Sequence, residues 1–501
     1  MHRQLPLIAI VTAIVLMGIG VAAFIFYDPQ ILATGIARGE PKAWERKPIG
    51  GGDQEALTAG SAVAMADYQG DWSSFLGPAK DGIAPDDGVA LATDWPDGGP
   101  SKVWERVIGN GHAGVAIHKG RVFLTDYDPE IFPDPQTGEP VGGDIIRCLS
   151  LADGQDIWSY AYAVTSVNNH GVSRPVPAVT DDYLVSFGPK CQVYCVKTDT
   201  GEKVWSMDLR SKYGAEVPKW YAGQCPLIVG DSVILAPSGK AGAGVEARSN
   251  VLMVKVKLAT GEVVWEAENT LLGIQTHVSI AEMDCYGTPS FVYSGGQGLI
   301  AVNAENGEIL WESKEWFNKI ANCATPVPVS DNRVFLSAGY GSGCMMMKIN
   351  KDANGRFMPE VLWTKQEEEF GSVQHTPLYV PQDEVIYGIR VNGEMVCMEL
   401  DGTFRWSSGK EKTNRYGIGP YLMSAQGLIY ALEGHGRLDM VRANPDKFEK
   451  LDEHYVWGLR KGKTDAGAAK DAWGPMALAG GYLILRDIKR LVCLDVSAGT
   501  E

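Results

Sequence analysis

The amino-acid sequence predicts an all-β protein, an eight-bladed β-propeller preceded by one transmembrane helix. Three observations support this prediction. A phrase that ends in tryptophan recurs every 43 to 60 residues, glycine accounts for 59 of the 501 residues, and an uncharged apolar segment lies near the N-terminus. A repeat of this length with short alternating strands is typical of four-stranded propeller blades. A glycine excess without a Gly-X-Y period indicates many tight turns.

The apolar segment, residues 5–27, is predicted to anchor the chain in a membrane. As a helix its 23 residues would be about 34 Å long, slightly more than the roughly 30 Å of a bilayer core. His2 and Arg3 precede it and Asp28 follows it, so the N-terminus is expected in the cytoplasm. The alternative is a cleaved signal peptide, since Val21-Ala22-Ala23 could serve a peptidase. An apolar stretch of this length exceeds the usual 7 to 15 or so residues of such peptides.

The rest of the chain divides into three parts. Residues 28–70 contain Gly50-Gly51-Gly52 and no sustained apolar period, so they are predicted to form a linker. Residues 71–110 form an N-terminal extension that ends in a closing strand, and residues 111–501 form the propeller.

Each repeat consists of an apolar strand, a glycine turn and a tryptophan. The tryptophans are Trp158, Trp205, Trp265, Trp311, Trp363 and Trp406. Eight inner strands are expected to start near Ala113, Gly171, Cys225, Val278, Cys323, Thr376, Pro420 and Gly474. Residues 102–107 carry the same signature ahead of the first inner strand. They are therefore predicted to be the fourth strand of the last blade, which closes the ring and removes open sheet edges.

The Asp/Asn-x-Gly-x-x-x-Trp ending resembles the pyrroloquinoline-quinone-like (PQQ-like) β-propeller repeat. That superfamily includes quinoprotein alcohol dehydrogenases and the propeller lipoprotein scaffold of outer-membrane protein assembly. The phrase at residues 71–78, followed by Asp81-Gly82, is similar to membrane-anchored members common in planctomycete-type bacteria. The resemblance covers about residues 71–501 and implies the fold more specifically than the function. A WD40 propeller is disfavoured because the chain contains no Trp-Asp dipeptide.

One face of the predicted disc carries the long loops, which include residues 126–144, 206–224, 237–250, 411–419 and 457–473. Rigid scaffolds place functional residues on such loops. One side chain precedes each of seven inner strands, and Arg415 lies in a loop on the same face. These candidate ligand-binding or cofactor-binding residues are His112, His170, Gln224, His277, Asn322, His375, Arg415 and Trp473. Ring geometry would gather them around one axial pocket.

A metal at this pocket is an open alternative, because imidazole suits divalent transition metals. The alternative role for these polar side chains is to satisfy backbone groups at strand ends. Six carboxylates between Asp126 and Asp144 could bind Ca²⁺, although such a run is more often a solvated loop. Cys148, Cys195, Cys397 and Cys493 occupy equivalent third-strand positions, which indicates a small apolar packing slot and not a redox site.

The favoured function is a noncatalytic binding or scaffolding role, in which the long-loop face holds a protein partner or a small polar ligand. The net charge of −16 argues against nucleic acid. The alternative is a PQQ-dependent, Ca²⁺-assisted oxidoreductase acting on alcohols or sugars. The resemblance implies that such enzymes usually use an active-site Asp base and a disulfide between adjacent cysteines. The enzyme is disfavoured because the chain has no Cys-Cys dipeptide and no motif that identifies the Asp. A polysaccharide-binding sensor is suggested by Trp220, Tyr221, Trp316 and Tyr416. The expected location is the bacterial inner membrane, single-pass, with the propeller in the periplasm.

Overall fold

The computed structural model describes residues 54–499, except residues 67, 135, 166–169, 240–249, 272–274, 319–321, 373, 418–420 and 459–470. The predicted anchor at 5–27 and most of the predicted linker lie outside this range. Within it, no helix combines the length and apolar character needed to cross a bilayer.

The described strands form eight antiparallel sheets around a ring, as the repeat predicts. Blade 1 consists of β4 (Val115–His118), β5 (Arg121–Pro133), β6 (Pro140–Ser150) and β7 (Asp156–Ala163), with β1 (Glu55–Ala59) added outside and β2 (Asp71–Trp72) inside. Blade 2 consists of β8 (Ala178–Val179), β9 (Tyr183–Phe187), β10 (Gln192–Lys197) and β11 (Lys203–Asp208). Helix α1 (Leu209–Tyr213) leads to blade 3, which consists of β12 (Leu227–Val229), β13 (Ser232–Leu235), β14 (Val251–Lys257) and β15 (Val263–Glu268).

Blade 4 consists of β16 (Ala281–Cys285), β17 (Thr288–Gly295), β18 (Gly298–Asn303) and β19 (Ile309–Ser313). Blade 5 consists of β20 (Val327–Val329), β21 (Arg333–Ala338), β22 (Gly343–Lys351) and β23 (Phe357–Lys365). Blade 6 consists of β24 (Leu378–Val380), β25 (Val385–Ile389), β26 (Met395–Glu399) and β27 (Phe404–Ser407). A 3-10 turn (Lys412–Asn414) precedes blade 7, which consists of β28 (Tyr421–Ala425), β29 (Leu428–Leu432), β30 (Arg437–Arg442) and β31 (Lys450–Tyr455). Blade 8 consists of β32 (Ala477–Ala479), β33 (Tyr482–Arg486), β34 (Arg490–Asp495) and β3 (Ser101–Val107).

The ring is closed by β3, as predicted, because this N-terminal strand pairs with the C-terminal strand β34. Most inner strands begin a few residues later than the sequence predicts. A proline directly precedes the first strand residue in blades 2, 3, 5 and 6, at Pro177, Pro226, Pro326 and Pro377. Proline has no N–H to donate, so a ladder hydrogen bond is missing at each of these positions. The segments before the inner strands are therefore irregular and project toward the axis.

A contact between a tryptophan of one blade and a glycine of the next recurs at five of the eight joints in the described part of the chain. Trp158 lies opposite Cys148 across the β6–β7 pair, which is the small apolar slot predicted for the recurrent cysteines. Its indole Nε1 donates to the carbonyl of Thr198 in blade 2 at 3.0 Å. Gly201 packs on the same indole ring with φ +74°, and a Cβ there would lie 2.6 Å from a ring carbon. Only glycine allows both this backbone conformation and this approach.

The same arrangement recurs around the ring. The Nε1 atoms of Trp104, Trp205, Trp363 and Trp406 donate to backbone carbonyls of the following blade at 2.7 to 2.9 Å. The equivalent cysteines Cys195, Cys397 and Cys493 each lie opposite a tryptophan and are fully buried. All nine cysteines are free thiols.

Two predicted loops are more regular than expected. Residues 126–144 extend β5 and β6 into a long hairpin, and Phe132 of this hairpin is buried against β1 and β7 residues. Strand β1, which lies within the predicted linker, pairs with β7 and covers the outer edge of blade 1. An added strand of this kind removes an exposed sheet edge.

Candidate functional site

The candidate site is a cavity of about 180 Å³ on the axis of the ring. Its wall comes from segments that precede the inner strands of seven blades, together with one loop of blade 5 and one residue of the N-terminal extension. The lining residues are Phe75, His112, His170, Arg174, Trp220, Gly223, Cys225, His277, Ser279, Cys323, Tyr340, Gln374, Trp473 and Pro475. The cavity therefore lies where the sequence predicts a common pocket.

Four of the eight predicted residues line this cavity. They are His112, His170, His277 and Trp473. The rings of His112 and Trp473 are stacked with centroids 5.2 Å apart, which joins blades 8 and 1 across the ring closure. Nε2 of His112 accepts the backbone N–H of Gly171 in blade 2 at 3.3 Å. His112 is therefore held between three blades, with one face of its ring covered by tryptophan.

Three predicted residues instead satisfy backbone and side-chain groups, the alternative that the sequence left open. Gln224 is fully buried and bonds both the N–H and the C=O of Ala236 in its own blade. Asn322 donates to Ser294 Oγ at 3.2 Å. Nε2 of His375 accepts from the N–H of Ile389 at 2.9 Å. None of the three lines the cavity.

Arg415 also lies away from the cavity. Its guanidinium donates to the carbonyl of Asn392 at 3.1 Å and to Glu394 Oε1 at 3.3 Å, so it fastens the loop before blade 7 to blade 6. The repeat brings equivalent backbone positions to one rim, but the local backbone decides which side chains face the axis.

The cavity carries one guanidinium among its described residues, that of Arg174, and the imidazoles of His112 and His277 are neutral at pH 7. Burial, and after it the positive charge of Arg174, lower the pKa of His277 to about 4. The same two causes, in the same order, hold the pKa of His112 well below its usual value. Burial also raises the pKa of the Cys323 thiol to about 11 and that of Cys225 to about 12. The described lining contains no Asp or Glu, so the site favours negative charge.

Three lining residues adopt the left-handed backbone conformation that bulky residues rarely populate. The φ angles are +56° for His170, +67° for Trp220 and +58° for Tyr340. Trp220 is stacked near Tyr340 with ring centroids 6.4 Å apart and approaches His277 at 6.5 Å. Such conformations cost roughly 1–3 kcal/mol each, persist only where the surroundings enforce them, and cluster at binding sites.

The N-terminal extension forms the floor of the cavity. Strand β2 pairs with the inner strand β4, and Asp71 there accepts from His118 at 2.7 Å. Farther along, the carbonyl of Ser73 accepts from blade 2, and Lys80 forms an ion pair with Glu282 of blade 4 at 2.9 Å. The segment thus crosses the channel on the face of the short turns. Phe75, between these contacts, lines the cavity from below.

The carboxylates considered for Ca²⁺ do not form one group, and three of them are bonded to other protein groups. Asp126 is buried and pairs with Arg147 at 2.8 Å, whereas Asp144 accepts from Tyr162 at 2.6 Å and from Ser173. Asp134 lies in the hairpin turn, where backbone N–H groups bond it. Among the residues that the structure describes, no group of three or more His, Cys, Asp or Glu side chains could hold a metal.

The sequence pattern does not single out Arg174, Phe75 or Tyr340 as site residues. A partial signal exists for Phe75, since it lies in the phrase at residues 71–78 that resembles other family members. Arg174 is the basic residue of the segment between His170 and β8. A search of these segments for charged residues could have identified it. Tyr340 precedes glycine in the loop between β21 and β22, where its turn toward the axis depends on its positive φ.

Comparison with known proteins agrees with this architecture. The family described as outer membrane protein assembly factor BamB, a PQQ-repeat family, matches residues 142–408, slightly more than half of the chain. The chain therefore belongs to this family of PQQ-like propellers, and the resemblance seen in the repeat is confirmed. No curated protein matches the chain in sequence.

Solved structures share the fold at low identity. A europium-containing methanol dehydrogenase is 13% identical over 83% of this chain and 89% of its own, with a TM-score of 0.53. A quinohemoprotein alcohol dehydrogenase of Pseudomonas putida is 12% identical over 86% and 81%, with a TM-score of 0.54. BamB of Moraxella catarrhalis is 12% identical over 79% and 99%, with a TM-score of 0.49. The first two likenesses show the eight-bladed fold alone.

Proposed function

We propose that this PQQ-like propeller is a noncatalytic binding protein that holds a small ligand in its axial cavity. We also propose that residues 5–27 anchor it so that the ring lies outside the cytoplasm. The observation that carries the binding proposal is the cavity itself, which draws its lining from seven blades and from a floor supplied by the extension. Concave sites lined mainly by apolar and aromatic side chains, with few polar groups, are the usual form of small-molecule sites.

The ionisation of the lining supports a noncatalytic role. A general base works best when its pKa is near the working pH, and burial keeps the pKa of His277 near 4. A nucleophilic cysteine needs a lowered pKa, whereas burial raises the pKa values of Cys225 and Cys323 to about 12 and about 11. These groups are therefore suited to packing and hydrogen bonding.

The same lining does not fit the metal-assisted quinoprotein alternative. Ca²⁺ takes about six to eight oxygen ligands, mostly from carboxylates and carbonyls, and no carboxylate of the described residues lines the cavity. A cavity of about 180 Å³ is only slightly larger than the roughly 150 Å³ that holds one benzene ring, so a three-ring quinone would extend beyond it.

Three of the four aromatic residues that suggest a polysaccharide-binding sensor are buried. Tyr221, Trp316 and Tyr416 are 7%, 3% and 0% exposed, so they cannot present their ring faces to a sugar. Trp220 is the remaining aromatic residue of that set, and it belongs to the cavity.

The test is a screen of anionic, neutral and cationic single-ring compounds against the full chain in detergent, read by ligand-observed NMR. Binding should be lost in Gln374→Trp, which fills the cavity from its wall, and kept in the matched change Gln136→Trp in the exposed β5–β6 turn. Binding that survives Gln374→Trp, or no binding by any class, would remove the proposal.

A further inference from the structure

The cavity has about the volume of one aromatic ring with one small substituent. It measures about 180 Å³, and an apolar cavity of about 150 Å³ accommodates benzene. The volume that remains is comparable to a single planar polar group. This volume therefore favours a single-ring ligand over a fused multi-ring one.

Two aromatic pairs line the cavity. Trp220 and Tyr340 are stacked at 6.4 Å with an interplanar angle of 25°, and His112 and Trp473 at 5.2 Å with 29°. Aromatic rings prefer offset-stacked or edge-on contact with other rings at about 4.5–7 Å. Since the left-handed backbone of Trp220 and Tyr340 is set in the fold, the rings are positioned before a ligand arrives. The wall therefore favours a flat ring over an aliphatic chain.

The charge of the lining residues favours an anionic substituent on the ligand ring. Arg174 lines the cavity and remains protonated at all physiological pH values. Its positive charge acts on His112 in blade 1, His277 in blade 4 and Cys323 in blade 5, which places it centrally among the lining groups. Because the described lining offers no carboxylate to neutralise an entering cation, the site disfavours amines. A guanidinium is well suited to bind a carboxylate through two parallel hydrogen bonds.

We propose that the ligand is a single-ring aromatic carboxylate, with its ring among the aromatic side chains and its carboxylate at Arg174. This inference rests on the proposed binding function. It also assigns Phe75 as the residue that limits ligand length, because Phe75 lines the cavity on the side of the N-terminal extension. The phrase at residues 71–78 thereby acquires a role in specificity.

The first test measures the affinity of benzoate, benzyl alcohol and benzylamine for the full chain by isothermal titration calorimetry at pH 7. Benzoate should bind at least about 10-fold more tightly than either analogue. Arg174→Met should weaken benzoate by about 10- to 100-fold, the usual effect of losing a charge-assisted hydrogen bond. Arg174→Lys keeps the positive charge but cannot form two parallel hydrogen bonds, so its benzoate affinity should lie between those of wild type and Arg174→Met. Arg405→Met is the matched control. It removes an arginine of the outer strand β27 that pairs with Glu399 at 3.0 Å, so benzoate affinity should be unchanged.

The outcomes separate the two proposals. If benzylamine or benzyl alcohol binds as tightly as benzoate, and Gln374→Trp abolishes that binding, the ligand class is wrong and the binding function stands. If no probe binds, both are wrong. Unchanged benzoate affinity in Arg174→Met, with a wild-type unfolding midpoint, would overturn the role of Arg174.

The second test concerns the floor. Phe75→Ala should shift the ratio of 2-naphthoate to benzoate affinity toward naphthoate by at least about 10-fold, since removing a buried ring frees the volume of a second ring. Phe357→Ala, on the outer strand β23, removes the same side chain far from the cavity and should leave the ratio unchanged. An unchanged ratio in Phe75→Ala would show that Phe75 does not limit ligand length.

Discussion

Replacing Asp144 by asparagine should stabilise the propeller at pH 8 and have little effect near pH 4. Asp144 is fully buried, and burial raises its pKa to about 7 even though Ser173 and Tyr162 donate hydrogen bonds to it. In the unfolded chain its pKa is near the ordinary value of about 3.9. Between these values the folded protein retains a proton that the unfolded chain has lost, so the free energy of unfolding falls as pH rises from about 4 to 7.

The size of the effect follows from the shift. About three pKa units at 1.36 kcal/mol each give a cost of about 4 kcal/mol at pH 8 relative to a neutral side chain. Asparagine carries no charge, and its amide can bond both neighbouring hydroxyls. The difference in stability between Asp144→Asn and wild type should therefore grow from near zero at pH 4 to a few kcal/mol at pH 8.

The assay is urea unfolding of the full chain at pH 5, 6, 7 and 8, followed by tryptophan fluorescence. The difference between variant and wild type is the quantity to compare, because buried neutral histidines such as His375 give the wild type an opposite trend below pH 6.5. Asp134→Asn is the control, since backbone N–H groups in an exposed turn lower the pKa of Asp134. A stability difference for Asp144→Asn that is the same at pH 5 and pH 8 would refute the reasoning.

Two further predictions concern the contacts between blades. Gly261→Ala should lower the free energy of unfolding by more than Gly230→Ala. Both glycines have positive φ, a conformation that costs an L residue about 1–2 kcal/mol, but only at Gly261 would an added Cβ contact Trp205, at 2.9 Å. Equal losses of stability in urea unfolding would argue against the contact. Trp158→Phe should lower the free energy of unfolding by about 1 kcal/mol more than Trp311→Phe. The indole N–H of Trp158 donates a hydrogen bond that phenylalanine cannot make, whereas that of Trp311 has no hydrogen-bond partner within the described part of the chain. The same urea titrations measure this difference.

The ring could be predicted from the sequence because most blades repeat the residues that join them to their neighbours. Trp158 ends one repeated phrase and Gly201 lies in the turn of the next, and their contact is the blade-to-blade joint. The closing strand β3 carries the same tryptophan signature, so its place in the last blade could be assigned from the repeat alone. Strand starts were less predictable, since they depend on where prolines interrupt the hydrogen-bond ladder.

The site could be predicted only in part because equivalent positions have different backbone conformations. His170 and His375 both precede an inner strand, yet His170 has φ +56° and lines the cavity, whereas the ring of His375 turns back to bond Ile389 of its own blade. The position of Phe75 was still harder to predict. It lies in a non-repeating segment, and long-range contacts with several blades hold that segment across the channel.

A symmetric ring can form a selective site only where residues outside the repeat break the symmetry. Arg174, Trp220 and Phe75 do so here. Arg174 and Trp220 lie in segments before inner strands, but these residue types are not repeated at the equivalent positions of the other blades, and Phe75 lies in the N-terminal extension. Together they supply the charge, one aromatic wall and the floor. Most joints between blades use other residues, on the outer strands and turns, although His112 and Trp473 line the cavity and also join blades 8 and 1. Ring stability therefore depends mainly on side chains other than Arg174, Trp220 and Phe75, so selectivity can change at these three positions while the repeat keeps the ring closed.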